Sequence, residues 1–282
     1  MNLQDLACSQ SGWEARLQLA YRVIDGATRI VTRRHVGPLV VQKPFYPEGP
    51  DVCHSVVLHP PGGVAAGDRL SIDVAVGERS HALITTPGAG KWYRCPDAMA
   101  VQRVDVAVDE HASLEWLPQE NIVFDGAVPQ WQHRVSLGSG GRYIGWEITC
   151  LGRTASGERF DTGCLRTRTE IVQAGRRLWG DYACIEGSGR LLESPIGLAG
   201  FPVFGTLLAA GFDASRDLLD ACRALAPQGK ARVGVTALSD LLVARYLGTS
   251  TEQARSLFTA MWQLIRPLAL GRPAVLPRIW RT

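Results

Sequence analysis

From about residue 14 to residue 185, apolar residues alternate with polar ones along most of the chain, the period expected of strands that bury one face. Leu17, Leu19, Tyr21 and Val23 form one such set and Leu70, Ile72, Val74 and Val76 a second. Val104, Val106 and Val108 form a third, and Leu165, Thr167, Thr169 and Ile171 a fourth. Clusters of Gly, Pro, Asp and Ser separate them, as turn chemistry requires. Three blocks resemble one another: IDVAVGERSHALI from residue 72, VDVAVDEHASLEW from 104 and HRVSLGSGGRYIGWEI from 133. Each reads as an alternating strand, a short polar or Gly-rich turn and a second apolar strand. Their spacing of roughly 30 residues suggests stacked supersecondary units. Two arrangements satisfy the pattern, three ordinary antiparallel hairpins or a layered, solenoid-like sheet, and either makes the body β.

Helical periodicity comes late. ASRDLLDACRAL (214–225) places Leu218, Leu219, Cys222 and Leu225 on one face. TEQARSLFTAMWQLIRP (251–267) and the residue after it place Leu257, Phe258, Met261, Leu264, Ile265 and Leu268 at helical spacing, and Pro267 is expected to limit that helix. GVTALSDLLVARYLG (234–248) is ambiguous, although Leu241 to Leu247 could return to the sheet as a strand. The Pro-rich tail carries Trp280, an apolar end that suggests docking onto the body or a partner.

A chain of 282 residues can bury a sizeable core in one large domain or two small ones, and 46% hydrophobic with 20% charged residues excludes disorder as its theme. A net charge of +3, with no run of Lys or Arg interleaved with aromatics, gives no reason to expect nucleic acid. The N-terminal sequence lacks a basic stretch followed by an apolar one, and no segment has the length of a membrane span, so a cytoplasmic location and no membrane partner are expected. The seven cysteines, Cys8, Cys53, Cys95, Cys150, Cys164, Cys184 and Cys222, are scattered and without C-x-x-C spacing, which argues against a disulfide framework or a structural zinc site.

TTPGAGKWYR (85–94) imitates a phosphate-binding loop at Gly90 and Lys91, but Thr85 stands where the opening glycine belongs and Trp92 where a magnesium-binding hydroxyl is needed. No Rossmann, G-x-S-x-G or H-E-x-x-H signature is present. CHSVVLHPPGGVAAGDRL (53–70) offers Cys53, His54 and His59, donors suited to nickel, copper or zinc; on an extended segment, however, residues 54 and 59 point to opposite faces. Core packing and turn hydrogen bonds are the alternative for all three, and the Pro-Pro-Gly-Gly run is readable as a purely structural turn. Acids are set in apolar sequence at Glu115, Glu120, Asp125, Glu147 and Asp181. A buried carboxylate must be paired, protonated or bound to a cation. The set therefore fits an acid/base pair, a polar conduit for a cation, or ion pairs with Arg94, Arg103, Arg153 or Arg159. LGRTASGERF (151–160) reads as strand, tight loop and strand with an Arg153–Glu158 ion pair.

Taken together, HVGPLVVQKPFYPE (35–48), LHPPGGVAAGDRL, TTPGAGKWYR, LEWLPQENIVFDGA (114–127), GWEITCLGRTASGERF (145–160), SPIGLAGFPVFGTLLA (194–209), LLVARYLG and the terminal PRIW resemble, in this order, the urease accessory proteins called UreD, or UreH in some organisms. The resemblance implies a mainly β fold, a layered or helical stack of strands with about two C-terminal α-helices. It implies one domain over 1–282, with a β body over about 14–210 and a helix-containing part over about 211–282. It implies a non-enzymatic maturation factor that binds apo-urease and recruits UreF, and through UreF the GTPase UreG. GTP hydrolysis would then belong to the partner, and Gly88 and Gly90 would shape a turn in a scaffold. No cofactor would be tightly bound; nickel would be cargo in transit through a water-filled passage. By their places in matching motifs, Asp68, Glu147 and Asp181 are the candidate passage acids, with Cys53, His54 and His59 as weaker metal candidates. Oxygen ligands would release nickel where a Cys/His site would trap it. Asn121 stands where relatives often carry Thr or Ala, and Ala66 where they carry a second glycine. The rival function is a β-solenoid polysaccharide hydrolase or lyase using Glu115 and Glu120 as acid and base.

Overall fold

A computed structural model of the chain describes residues 12–65, 67–225, 227 and 229–281, so Cys8, the N-terminal sequence weighed as an export signal, and Ala66 lie outside the described residues. The strands are β1 (Glu14–Ile24), β2 (Ala27–Val36), β3 (Val40–Val41), β4 (Val52–Leu58), β5 (Arg69–Val76), β6 (His81–Thr85), β7 (Gly90–Trp92), β8 (Ala100–Val108) and β9 (Ser113–Leu117). They continue as β10 (Asn121–Val123), β11 (Pro129–Leu137), β12 (Arg142–Leu151), β13 (Cys164–Gln173), β14 (Arg176–Glu186), β15 (Val203–Ala210), β16 (Arg232–Leu238) and β17 (Leu241–Gly248). The helices are the single turn α1 (Arg190–Glu193), which the periodicity did not announce, then α2 (Arg216–Ala224) and α3 (Thr251–Leu270).

The strands form two sheets. One has the order β14-β13-β11-β8-β5-β1-β2, and the other β16-β17-β15-β12-β9-β6-β4-β3, with β10 and β7 alongside β12. Pairing is parallel through the middle of each sheet, from β13 to β1 and from β12 to β4, and antiparallel at the edges. The three related blocks are β5–β6, β8–β9 and β11–β12, and none is a hairpin: the first strand of each joins one sheet and the second joins the other. Ile72 pairs with Val104 and Val104 with His133; Leu83 pairs with Glu115 and Glu115 with Ile144. The chain passes between sheets at equivalent left-handed residues, Arg79 (φ 57°), His111 (φ 54°) and Gly140 (φ 63°). These are stacked coils, the solenoid-like alternative, and alternation alone could not select it because both arrangements bury every second residue.

The space between the sheets is filled from both sides by residues such as Leu17, Leu19, Leu70, Ile72, Val104, Val106, Leu114 and Trp116. A second core lies on the other face of the second sheet, where Leu83, Leu117, Ile144, Trp146 and Ile148 pack against Phe258, Met261, Trp262 and Ile265 of α3. Ser250 and Ser215 cap α3 and α2 by accepting the backbone N–H of Gln253 and Leu218. Pro267 does not end α3. The helix runs to Leu270 and stops at Gly271, whose left-handed backbone (φ 68°) lets its N–H reach the Pro267 carbonyl. A proline in the last turn sacrifices only its own N–H. Three apolar assignments also differ: Val23, Leu264 and Leu268 face solvent, Leu268 at 63% exposure; Val23 stands at the end of β1, and Leu264 and Leu268 lie beside the face of α3 that buries Met261, Trp262, Ile265 and Ala269. The ambiguous 234–248 stretch is the β16–β17 hairpin. After β12 no strand resumes before Cys164; a 3-10 turn at Thr154–Ser156 intervenes, with the Arg153–Glu158 ion pair in place. The tail docks on the body: Trp280 donates its indole N–H to Thr85 Oγ1 at 2.8 Å and packs tilted against Trp146 and edge-on against Trp262.

Candidate functional site

Toward β12 and β13 the apolar filling between the sheets gives way to polar side chains. On β12 the even-numbered residues Ile144, Trp146 and Ile148 point to the helices, so Glu147 and Thr149 point inward, opposite Thr167 and Thr169 of β13. The two threonines occupy inward positions in the alternation of β13, between buried Leu165 and Ile171. They line a cavity of about 380 Å³ with Glu147, Thr149, Asp181, Thr206 and Arg245. A second cavity of about 280 Å³ is lined by His59, Gly62, Trp92, Asn121, Trp131 and the 86–91 loop. His133, Trp146, Glu147, Thr167 and Thr169 line both, so the two spaces adjoin at Glu147.

Glu147 is enclosed by protein, and what accessible surface it keeps faces these cavities. Burial first, and then the charge of Asp181, push its carboxyl up to about 7. Burial alone holds His133 down at about 4, so it is neutral beside Tyr143, whose hydroxyl lies 3.4 Å from His133 Nε2. Buried Trp131 Nε1, Thr149 Oγ1 and Trp179 Nε1 have no protein hydrogen-bond partner, and all three residues line these cavities. Unsatisfied polar atoms around a space of this size call for water or a polar guest.

At the first cavity's outer rim, Asp181 accepts a 2.7 Å hydrogen bond from Arg245, an ion pair that ties β14 of one sheet to β17 of the other. Exposed Ile196 (98%) and Tyr182 (67%) stand nearby. At the second cavity's rim lies the segment that imitated a phosphate loop. It forms a turn and β7 instead of opening a helix. At Gly90 a Cβ would meet Asn121 Oδ1 at 2.5 Å and displace that side chain. Asn121 in turn accepts the Trp92 indole N–H at 3.1 Å. Trp92 is core, while Tyr93 is part-exposed against Phe124.

The candidate acids thus divide. Glu147 and Asp181 share one cavity. Asp68 is not among the residues lining either; its carboxylate accepts the backbone N–H groups of Trp13 (2.8 Å) and Ala65 (2.9 Å), pinning the turn before β5. Its charge is felt by His59, which burial shifts downward in pKa and Asp68 opposes, and His59 does line the second cavity. Cys53, His54 and His59 do not converge. Cys53 faces the inter-sheet core, where burial raises its thiol pKa, and His54 turns the other way onto Glu48 at 2.6 Å. Among the described residues no three His, Cys, Asp or Glu side chains form a metal-holding group.

Glu115 belongs elsewhere. It is fully buried under α3, where it accepts hydrogen bonds from Arg266 Nε (2.9 Å) and Trp262 Nε1 (2.6 Å) and lies 2.7 Å from His81 Nε2. Burial would raise its pKa, but His81 and Arg266 outweigh burial and hold the carboxyl down at about 2. Arg266 also binds Glu48, which faces His54. Glu120 pairs with Arg255, and Asp125 accepts the Asp161 and Thr162 N–H groups. None of the arginines expected as partners (Arg94, Arg103, Arg153, Arg159) forms these ion pairs; Arg245, Arg255 and Arg266 do. A carboxylate locked as Glu115 is cannot serve as an acid or base on a glycan. Cys53, Cys150, Cys164, Cys184 and Cys222 are free thiols.

Fold and site define a class: a solenoid-like β scaffold, covered by a C-terminal helix, that encloses adjoining polar cavities. The sequence profile of the UreD urease accessory protein family matches residues 13–281, and the chain belongs to that family. It is 48% identical over 281 residues to a urease accessory protein UreD of Azoarcus sp. strain BH72, covering 100% of this chain and 98% of the relative. It is 50% identical to one of Dechloromonas aromatica (96% and 95% covered) and 48% identical to one of Pseudomonas aeruginosa PAO1 (96% and 95% covered). Membership assigns the chain a part in urease maturation as an accessory protein and not as an enzyme.

Proposed function

We propose that this chain is the scaffold that carries nickel to apo-urease through the space between its sheets, docked at once to apo-urease and to UreF, with the GTPase UreG joined through UreF in the cytoplasm. The observation that supports this reading is the pair of polar cavities meeting at Glu147, with unpaired indole and hydroxyl groups along their walls. A hydrated nickel ion needs oxygen donors and water but no tight cage if it is to move on. Glu147 at the junction and Asp181 near one rim supply oxygen donors singly, and His59 near the other rim a single imidazole nitrogen. Nickel displaces the proton that Glu147 holds near neutral pH, and Asp181 exchanges its Arg245 partner for the ion. Asp68 acts from behind His59 and through the turn it pins.

Deletion of this gene alone from a host carrying the remaining urease genes is expected to leave nickel-poor, inactive urease, restored when the gene is returned on a plasmid. Fully nickel-loaded urease in the deletion strain would overturn the role itself.

A further inference from the structure

The β13–β14 hairpin carries a feature that delivery through the cavities does not use. Cys164 and Cys184 lie with their sulfurs 3.6 Å apart, both only half-buried, whereas Cys53, Cys150 and Cys222 are buried singly. The strand register sets Cys164 opposite Glu186 and Cys184 opposite Arg166, so the two cysteines are diagonal neighbours. Leu165 and Ile185 beside them turn into the core, so the alternation sets both cysteines on the outer side of the sheet, with Cys184 also bordering the first cavity. We propose that this pair is a two-thiolate site for a thiophilic d10 cation, copper(I) or zinc(II).

Diagonal positions on paired strands stand about 7–8 Å apart between Cα atoms. That exceeds the usual range for a disulfide, whose sulfurs close to about 2.0 Å. Two sulfurs bound at about 2.3 Å to one tetrahedral cation stand about 3.8 Å apart, close to the separation observed. A linear two-coordinate cation needs them about 4.6 Å apart, reached by small side-chain rotations at this half-exposed site. Binding forms two metal–sulfur bonds, releases two thiol protons to solvent and transfers no electron. Burial and the neighbouring Cys184 thiol raise the Cys164 pKa, with Arg166 opposing them, so the cation itself must displace the thiol proton. A bound cation would staple the hairpin that also carries Asp181, which tightens the first cavity's rim without entering it.

The test is titration of the reduced full-length chain against copper(I) bicinchoninate in one arm and the zinc complex of pyridylazoresorcinol in the other. One equivalent is expected to be withdrawn in at least one arm, with two sulfur neighbours in the metal's X-ray absorption spectrum. Cys164→Ser and Cys184→Ser should each weaken that binding by more than about 10-fold, since even the loss of an outer-shell partner costs about 10–100-fold, while Cys150→Ser and Cys222→Ser leave it unchanged. Circular dichroism checks that every variant keeps its strand content. No equivalent withdrawn in either arm, or binding that Cys164→Ser and Cys184→Ser do not weaken, would overturn the proposal and leave the nickel-delivery reading standing.

Discussion

Glu147 is the residue whose chemistry is most sharply set by its place. Its carboxyl titrates near 7 folded against an ordinary value of 4.5, so burial adds nothing below about 4.5 and costs progressively more stability as pH rises through about 7. Glu147→Gln, neutral throughout, is predicted to match the parent at about pH 4 and to exceed it by about 1–3 kcal/mol at about pH 8, a range that allows for water in the cavity. Denaturant unfolding at the two pH values measures this; equal stability at both would place Glu147 in a compensated site. Asp68 behaves differently. Asp68→Ala frees two backbone N–H groups and is predicted to cost about 1–3 kcal/mol, with Asp68→Asn recovering part of it. A nickel-delivery defect in Asp68→Ala without a stability loss would mean that its carboxylate meets the ion directly.

Among the elements, α3 is anchored by charge as well as by packing. Arg266 reaches from its last turns to Glu115 on β9 and to Glu48 before β4, all of them buried. Arg266→Leu strands two buried carboxylates and is predicted to cost about 3–5 kcal/mol at neutral pH. The sign with pH follows from Glu115, whose pKa is depressed to about 2: its contribution is complete above about 4.5 and is lost as pH falls toward 2. The gap between Arg266→Leu and the parent should therefore narrow in acid, as chemical denaturation across that window would show. This network was illegible in the sequence. Glu115 was visible as an acid in apolar surroundings, but its partner stands 151 residues away in a helix whose apolar spacing gave no hint that an arginine faced inward. The repeat was legible because equivalent residues in the three blocks recur in sequence as they stack in space. The choice between coils and hairpins was not, since pairing partners decide it and alternation is the same in both. Glu147 could be singled out as an inward acid only with the help of family resemblance, and that Asp181 shares its cavity depends on β13 and β14 lying across from β12.

At the scale of the molecule, stacking coils leaves a continuous space between two sheets, and the side chains that fill it decide whether it is core or conduit. Near β1 they are aliphatic and the space is closed; against β5 and β8 Leu70, Ile72 and Val104 give the second cavity an apolar wall, and near β12 and β13 the lining turns to Glu and Thr. If nickel travels that space, its delivery depends on Glu147 while binding to partners does not. The most direct test is the nickel content of urease purified from cells that supply this chain as Glu147→Leu, after confirming that the variant still co-purifies with urease as the parent does. Urease that is well below full nickel occupancy, with the complex intact, is the predicted result. Fully loaded urease from the same intact complex would show that nickel takes another route.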